Sequence, residues 1–277
     1  MKIIDGFIFY NELDMLSYRL NTLKNVVDYF ILVESTHTFV GKEKPLIFQM
    51  NQHLFEEFKA KIIHVVVKDF PHKYPKIQFK NEEQWANEYH QRSAIMRGFE
   101  KIKYTDEDII IIADVDEIPD RDTLLKIKNG QIPVRLNTLE MDFYYYNLNS
   151  RLAKKWTLCR ILTIKKLKNM NMSCADIRKI PGYAPIIKHG GWHLSYFGDS
   201  SFIKNKIESF SHQEFNKEEF TDIAKIDERI SKSADLYDRE HNHIIQVPIV
   251  ANTYLPHEYT TYSVSYTHLT LPTIYSV

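Results

Sequence analysis

A short acidic segment that directly follows four consecutive isoleucines constrains this chain more than any other feature. The isoleucines at 109–112 predict a strand buried on both faces, as in the middle of a parallel sheet. Asp114, Asp116 and Glu117 follow the strand, and we expect Pro119 to stop further ladder pairing. Because ligands of open α/β sheets bind outside the carboxyl ends of the strands, we expect these carboxylates to face a ligand.

The spacing of the two aspartates suggests a metal site. Asp114 and Asp116 are two residues apart, so their side chains point the same way on an extended chain. Two carboxylates at a strand end suit Mg²⁺ or Mn²⁺ carrying a diphosphate. The alternative is an ordinary acidic strand end, because Asp-x-Asp occurs by chance in many proteins. Clustered carboxylates are costly unless a cation or hydrogen-bond donors compensate their charge, which favours a ligand site.

Strand-like and helix-like segments alternate over the first 120 residues, which predicts βαβ units and a parallel sheet. Strands are predicted at 2–10, 29–34, 61–67 and 108–113, and helices at 13–24, 51–59 and 82–101. Beyond Pro119 we expect aromatic-rich strands of mixed direction, with charged amphipathic helices at 200–236. The sequence therefore predicts one α/β domain over 1–262, with a Rossmann-like, mostly parallel sheet flanked by helices. Residues 1–120 would form a nucleotide half and 121–262 an acceptor half.

Composition excludes several classes of protein. Lys plus Arg and Asp plus Glu are balanced at 36 each, so the chain has no global basic field for nucleic acid. Cys159 and Cys174 are the two cysteines, which excludes a disulfide framework and makes a reducing compartment the default. The N-terminal residues predict a strand, and no segment has the length of a transmembrane span, so we expect a cytoplasmic protein.

The last fifteen or so residues differ in character from the rest of the chain. Residues 264–273, Val-Ser-Tyr-Thr-His-Leu-Thr-Leu-Pro-Thr, match the translation of a sequencing-library adapter. We expect 263–277 to be a non-native tail and the native C-terminus to be missing. The alternative is a genuine β-prone tail. Added segments of this kind are excluded from fold reasoning.

Polar residues near other predicted strands are further candidates for a binding site. Glu34 ends the second strand, where a carboxylate suits a base or a ribose hydroxyl. Arg92 on the long helix can clamp a carboxylate or phosphate, and the alternative is an ordinary ion pair with Glu88 one turn away. Asn11 and Asp14, after the first strand, are interpreted mainly as helix N-cap residues.

The segment at 190–198 is the second signal in the sequence. Gly190 and Gly191 permit close approach of another backbone. Trp192 offers a stacking face for a sugar, and the 17 tyrosines and 16 phenylalanines suit sugar rings as well as an ordinary core. His193 is a third metal ligand or a diphosphate partner in the functional interpretation, and a structural histidine in the alternative.

Together these blocks resemble glycosyltransferase family 17, from the first strand to about Pro256. The resemblance implies a GT-A-type fold, a UDP-sugar donor, a divalent metal and inversion at the anomeric carbon. In the animal members the donor is UDP-GlcNAc. The residues that carry it are Asn11-Glu12-Leu13-Asp14, Arg19, Val27-Asp28, Val33-Glu34-Ser35, Thr38-Phe39, Gly41, Lys44-Pro45-Leu46, Asp114-Val115-Asp116-Glu117-Ile118-Pro119 and Gly191-Trp192-His193.

Site roles follow from the resemblance residue by residue. It implies that Asp114, Asp116 and His193 hold Mn²⁺ or Mg²⁺. The residues expected to bind the UDP-sugar are Glu34, Arg92, Asp114 and Trp192. Asp116 and His193 are also assigned to catalysis. We expect Glu117 to be the base that deprotonates the acceptor hydroxyl because it adjoins the metal site, although alternation directs its side chain away from those of Asp114 and Asp116. Other carboxylates that the sequence leaves open as the base are Glu140, Asp142 and Glu214.

The chain departs from the animal members of the family, and two rival functions also fit the sequence. The animal members are Golgi enzymes with an N-terminal anchor, and this chain resembles the compact microbial or viral members instead, so the acceptor and the Golgi role are not transferred. One rival is a non-catalytic nucleotide-sugar or glycan-binding protein on the same fold. A more distant rival is a phosphotransferase of the haloacid-dehalogenase type, which also carries Asp-x-Asp after an apolar strand.

Overall fold

The fold is taken from a computed structural model of the protein that describes residues 1–180 and 184–262, the last two by their backbone alone. The segment 263–277, interpreted above as a non-native tail, lies outside the described residues. Within them, every helix is too short or too polar to cross a bilayer. Cys159 and Cys174 are both free and buried.

All ten strands of the described part belong to one sheet. In sequence order they are β1 Ile3–Phe9, β2 Tyr29–Ser35, β3 Ile62–Val67, β4 Ile109–Asp114, β5 Glu117–Pro119, β6 Leu136–Tyr145, β7 Ser150–Leu152, β8 Arg160–Thr163, β9 Ile186–Ser195 and β10 Ile244–Gln246. Across the sheet the order is β10-β7-β6-β8-β4-β1-β2-β3, and β9 pairs with both β6 and β5. Strands β5, β7 and β8 run against the others.

The N-terminal part of the sheet is the Rossmann-like unit expected from the sequence. Strands β3, β2, β1 and β4 are adjacent and parallel, so all four carboxyl ends lie at one edge. Their bounds differ from the predicted strands by one residue at most. The predicted α/β fold, with strands mostly in one direction and helices on both faces, is confirmed. The division of the chain at residue 120 stays a prediction.

Helices cover the sheet and follow its strands. They are α1 Leu13–Leu23, α2 Ile47–Met50, α3 Glu83–Ser93, α4 Arg121–Lys128, α5 Ile164–Met170, α6 Cys174–Lys179, α7 Ser200–Ser209, α8 Glu218–Thr221, α9 Ile223–Ser231 and α10 Tyr259–Tyr262, with 3₁₀ turns at Gln52–Phe58, Phe79–Asn81, Ala94–Lys101, Gln213–Phe215 and Ile249–Ala251. The long helix predicted at 82–101 is thus α3 continued by a 3₁₀ segment. Gly98 lies in that segment, where a Cβ would come within 2.5 Å of Ile31, so the segment packs directly on β2.

Strand β4 explains why the isoleucine run is apolar throughout. Ile109 and Ile111 pack into the cluster on one face of the sheet, with α1 and the 3₁₀ turn at Gln52–Phe58. Ile110 and Ile112 pack into the cluster on the other face, against the 3₁₀ segment after α3. Both faces are buried, so period-2 alternation is absent. The strand is fixed from both sides up to the residue that begins the acidic turn.

One buried arginine connects the first helix, the first strand and the acidic turn. Arg19 in α1 and Asp5 in β1 are fully buried, and the guanidinium donates to both carboxylate oxygens at 2.8 and 2.6 Å. Its remaining terminal nitrogen donates to the carbonyl oxygens of Asp114, Val115 and Glu117 at 3.0, 3.2 and 2.6 Å. The backbone of the turn after β4 is therefore shaped by a side chain from α1.

We predict that Arg19→Met lowers the free energy of unfolding by roughly 3–5 kcal/mol, because Asp5 would be left buried without its partner. Urea unfolding at neutral pH measures the difference. The matched control is Arg97→Met, since the ion pair between Arg97 and Asp69 is exposed to solvent and is expected to contribute at most about 1 kcal/mol. Equal losses in the two variants would contradict a special role for the buried pair.

Candidate active site

A cavity of about 460 Å³ opens at the carboxyl ends of β1, β2 and β4 and continues along β6 and β9. Phe9, Ser35 and Asp114 line it from the first three strands, and Tyr145 and Ser195 line it from the other two. The cavity therefore lies where ligands of open α/β sheets bind. It joins the parallel part of the sheet to the part with mixed strand directions.

Asp114 lies between two arginines. Arg92 from α3 donates to one carboxylate oxygen at 2.5 Å, and Arg178 from α6 donates to the other at 2.6 Å. Arg92 also pairs with Glu88 at 2.9 Å, which is the ion pair offered as the alternative by the sequence, and its role toward a ligand stays a prediction. Burial alone would raise the pKa of Asp114, but Arg178 and Arg92 outweigh it and hold the pKa below its usual range. The carboxylate is therefore ionised, and each of its oxygens accepts a hydrogen bond from an arginine.

Glu117 is buried behind this turn, outside the cavity. Arg178 donates to both of its carboxylate oxygens, and the indole N–H of Trp156 donates to one of them at 2.5 Å. The other oxygen accepts the backbone N–H of Asp114 at 3.1 Å. Because the side chain is fully buried and absent from the cavity wall, the expectation that it is the base is corrected. Its carboxylate orients Arg178 and the turn.

Asp116 faces the cavity and forms an ion pair with a lysine. Lys206 from α7 lies 2.9 Å from one carboxylate oxygen, and Nε2 of His193 lies 3.5 Å from the other. Burial would raise the pKa of Asp116, but Lys206 and then His193 outweigh it and hold it well below its usual range. Burial would lower the pKa of Lys206, but Asp116 and then Glu12 hold it above its usual range. The pair is charged at any physiological pH.

His193 is held by aromatic rings. Its imidazole stacks on Phe143 with ring centroids 4.5 Å apart and contacts Trp156 at 4.2 Å. Nδ1 is buried and has no hydrogen-bond partner among the described residues. Together with Tyr145 and Tyr196, these rings form an aromatic wall on the side of the cavity away from β1 and β2.

The residues predicted to hold a divalent metal do not fit that role as a set. Both oxygens of Asp114 are bound by arginines, and Asp116 is paired with Lys206, so a cation there would have to displace several positive side chains. Among the described residues, three possible ligands converge elsewhere, at Asp120, Asp122 and His257. That group lies outside the cavity lining, and Asp120 already accepts from a backbone N–H of α4.

Two residues predicted to bind the donor are buried instead. Glu34 accepts the backbone N–H of Phe48 at 2.9 Å and lies 3.1 Å from His64, so it fixes the loop after β2 and does not face the cavity. Trp192 is fully buried against Tyr254 on the face of β9 opposite His193. These two expectations are corrected, because neither side chain can touch a ligand in the cavity.

Other sequence interpretations also change in detail. Helix α1 has Glu12 at its N-cap position without a side-chain capping bond, so the capping interpretation of Asn11 and Asp14 is wrong. Glu12 instead accepts the backbone N–H groups of Tyr10 and Asn11 and lines the cavity. Gly191 has φ +141°, and a Cβ there would come within 2.1 Å of the carbonyl oxygen of Ile118, so it permits β5 to approach β9.

Several residues at the site escape sequence reasoning. Arg178 lies in a six-residue helix, and Lys206 lies in a charged helix where lysine is ordinary. Neither has a local motif that would mark it. Trp156 follows two lysines in a segment without periodicity. Their roles depend on long-range packing that brings α6, α7 and the loop before β8 to the end of β4.

Comparison with known proteins identifies the family. The model of the family described as Glycosyltransferase family 17 matches residues 1–247. The chain belongs to this family. The resemblance in the sequence is thereby confirmed.

Curated relatives of this family 17 chain match over a limited length. Over 131 residues it is 30% identical to β-1,4-mannosyl-glycoprotein 4-β-N-acetylglucosaminyltransferase of Rattus norvegicus, a match that covers 46% of this chain and 23% of the relative. The protein of the same name from Homo sapiens is also 30% identical, with 24% of its length covered. The chain thus spans about a quarter of the length of these relatives.

Solved structures with a weaker likeness include S. aureus TarS 1-349, with 10% identity, a TM-score of 0.42, and 86% of this chain and 70% of that chain covered. The galactosyltransferase LgtC in complex with donor and acceptor sugar analogs has 12% identity and a TM-score of 0.36, with 99% and 98% of the two chains covered.

The charge of Asp116 should contribute to folding stability in a pH-dependent way. Its pKa is lower in the folded protein, so this stabilisation is fully present above the unfolded pKa of about 3.9 and is lost as the pH falls toward the folded value. We predict that Asp116→Asn lowers the free energy of unfolding by about 3 kcal/mol at pH 7, because Lys206 loses its buried partner. The difference should shrink below about pH 4.

Urea unfolding of both proteins at pH 7 and pH 3 tests this prediction. Asp238→Asn is the control, because Asp238 pairs with Arg229 at the surface and contributes little. A difference between the wild type and Asp116→Asn that is the same at both pH values would contradict the assigned charge state.

Proposed function

We propose that the protein is an inverting glycosyltransferase that moves a sugar, N-acetylglucosamine as the first choice, from a UDP-sugar to a hydroxyl of a glycan or another acceptor. Membership of family 17 supports the reaction class. The observation that carries the proposal is the cavity itself, in which buried cations at the end of β4 adjoin an aromatic wall. A charged diphosphate and an apolar sugar face would be accommodated side by side.

The donor's nucleotide would lie at the ends of β1 and β2. His37, Thr38 and Phe39 line this side of the cavity and supply polar groups and an aromatic ring for a base and a ribose. Arg92 and Arg178 lie between this side and the aromatic wall, where a diphosphate would follow the nucleoside. Guanidinium groups bind phosphate oxygens through their N–H donors. Arg92 has donors beyond those that it gives to Asp114 and Glu88, and Arg178 contributes its positive charge. This assignment replaces Glu34 by the residues that follow β2.

The transferred sugar and the acceptor would lie against the aromatic wall. Phe143, Tyr145 and Trp156 line the cavity with their aromatic rings. Sugar rings have apolar C–H faces that pack on such rings and hydroxyl rims that bind polar groups. Lys154 and Arg239 line the same side and supply donors for hydroxyl oxygens. The predicted sugar-stacking role of Trp192 passes to these residues.

In the proposed reaction the acceptor oxygen forms a bond to the anomeric carbon while the bond from that carbon to the diphosphate oxygen breaks. The electron pair of the broken bond goes to the diphosphate, whose charge the cations of the site stabilise. The proton of the acceptor hydroxyl goes to a base. Attack from the face opposite the leaving group inverts the configuration.

We propose His212 as the base. Its Nδ1 lies 2.7 Å from Glu214, one of the alternative carboxylates from the sequence, and the ring lines the cavity edge-on to Trp85 at 4.5 Å. A carboxylate on Nδ1 fixes the tautomer that leaves Nε2 free to accept a proton. Asp142 is less suitable, because it is buried beside Arg151 and Lys155 and does not line the cavity.

The rival functions make different demands on the site. A phosphotransferase would need a free aspartate as nucleophile, and Asp114 has both oxygens bound by arginines. A non-catalytic binding protein would use the same cavity without a base. Turnover of the donor separates that rival from an enzyme.

We predict that UDP and UDP-GlcNAc raise the melting temperature of the protein and that ADP and GDP do not, because ligand binding to the folded state stabilises it. Thermal-shift titration measures the effect, and release of UDP from UDP-GlcNAc measures turnover. A UDP-specific shift without any UDP release would favour the non-catalytic binding protein. Absence of a shift with every nucleotide would contradict the proposed donor.

His212→Asn should lower the rate of UDP release about 10²- to 10⁴-fold, since it removes the proposed base, and should leave UDP affinity nearly unchanged. Steady-state UDP release together with calorimetric UDP titration separates the two quantities. His53→Asn serves as the control, because His53 is exposed and lies outside the cavity lining. An unchanged rate in His212→Asn would exclude His212 as the base.

A further inference from the structure

Three positive side chains from three different helices converge on the acidic turn. Arg92 from α3 and Arg178 from α6 bind Asp114, and Lys206 from α7 binds Asp116. All three line the cavity, and each is at most one-fifth exposed. The two aspartates that would receive a divalent cation are thus already neutralised by the protein's own side chains.

Lys206 is held in place more firmly than a surface lysine. Its side chain is 19% exposed, and its ammonium lies 3.8 Å from Glu12 and 5.5 Å from the ring centroid of Tyr196, in addition to the contact with Asp116. Its helix is fixed by the fully buried residues Ile203 and Ile207. The ammonium therefore occupies the space between the carboxylates from the ends of β1 and β4.

The ammonium also has donors to spare. A lysine carries three N–H donors, and Asp116 at 2.9 Å accepts one of them. Glu12 at 3.8 Å is beyond hydrogen-bond distance. Up to two donors can therefore turn toward phosphate oxygens without breaking the contact with Asp116. Arg178, by contrast, already donates to Asp114, Glu117 and the carbonyl oxygen of Leu158.

A divalent cation at this position would face strong competition. It would have to displace Lys206 from Asp116, and the displaced ammonium would stay nearby on a helix that cannot move away without exposing its buried residues. Like charges at close range in a partly buried site repel one another strongly. The same place can hold either a metal ion or the ammonium, and its contacts favour the ammonium.

We propose that the Lys206 ammonium takes the place of the divalent cation in this protein, so that Lys206 and Arg92 bind the donor diphosphate without any metal, while Arg178 contributes its positive charge nearby. This inference rests on the proposed function, in which the donor is a UDP-sugar. During transfer the ammonium stays hydrogen-bonded to the diphosphate oxygens as the bond to the sugar breaks. No proton moves to or from Lys206 in this step.

The test is calorimetric titration of UDP into metal-stripped protein, in EDTA and in Mn²⁺. We expect UDP affinities that agree within about twofold in the two conditions. Binding of UDP only in the presence of Mn²⁺ would overturn the inference and leave the proposed function standing. Absence of UDP binding in both conditions would overturn both.

Variants of α7 give a second, independent measurement. Lys206→Met should weaken UDP binding at least tenfold in EDTA, and Lys206→Arg, which keeps the charge, should recover most of the loss. Lys204→Met is the matched control, since it removes a lysine from the same helix outside the cavity lining. Melting temperatures of the free variants report whether each is folded. Unchanged UDP affinity in folded Lys206→Met would overturn the inference, and if that variant does not fold, the EDTA comparison on the wild type still decides.

Discussion

The geometry of the site depends on one buried guanidinium. Arg19 neutralises Asp5 in the middle of β1 and donates to three consecutive or nearly consecutive carbonyl oxygens of the turn after β4. A turn with several carbonyl groups pointing inward would otherwise leave buried acceptors unsatisfied, which costs free energy. With Arg19 in place, the turn can present Asp114 and Asp116 to the cavity while Glu117 points back into the protein.

Charges then alternate along a chain of contacts that begins in α3 and ends beneath β5. It runs from Glu88 through Arg92, Asp114 and Arg178 to Glu117. Each of the three inner members, Arg92, Asp114 and Arg178, contacts two oppositely charged neighbours, so removal of any of them takes a partner from two other charges. Donors arranged in this way need no reorganisation when a charged ligand arrives, which is the condition for electrostatic stabilisation of a reaction.

The sequence predicted the features that depend on local pattern and did not predict those that depend on long-range packing. The strands β1 to β4 could be predicted because each is an apolar run bounded by polar residues. The sequence did not predict that Trp192 is buried while His193 faces the cavity. Adjacent residues of a strand face opposite sides of the sheet, and the register of β9 against β6 decides which side faces the cavity. Alternation along an extended chain already directs the Glu117 side chain away from that of Asp116, but its complete burial follows from the pairing of β5 with β9. The contribution of Lys206 depends on where α7 packs, which no residue near it in sequence indicates.

The two sides of the cavity belong to a single hydrogen-bonded sheet, because β8 joins β4 directly to β6. Many enzymes with two substrates enclose them by rotating one domain against another about a flexible hinge. A shared sheet transmits such a rotation as a distortion of its own ladder, so this mode of closure is mechanically stiff here. Opening and closing would instead fall to rim elements other than α7, which its buried residues Ile203 and Ile207 hold in place, such as the 3₁₀ turn at Gln213–Phe215. The rate of product release would then depend on these short rim elements, while the sheet that aligns the reacting groups stays rigid.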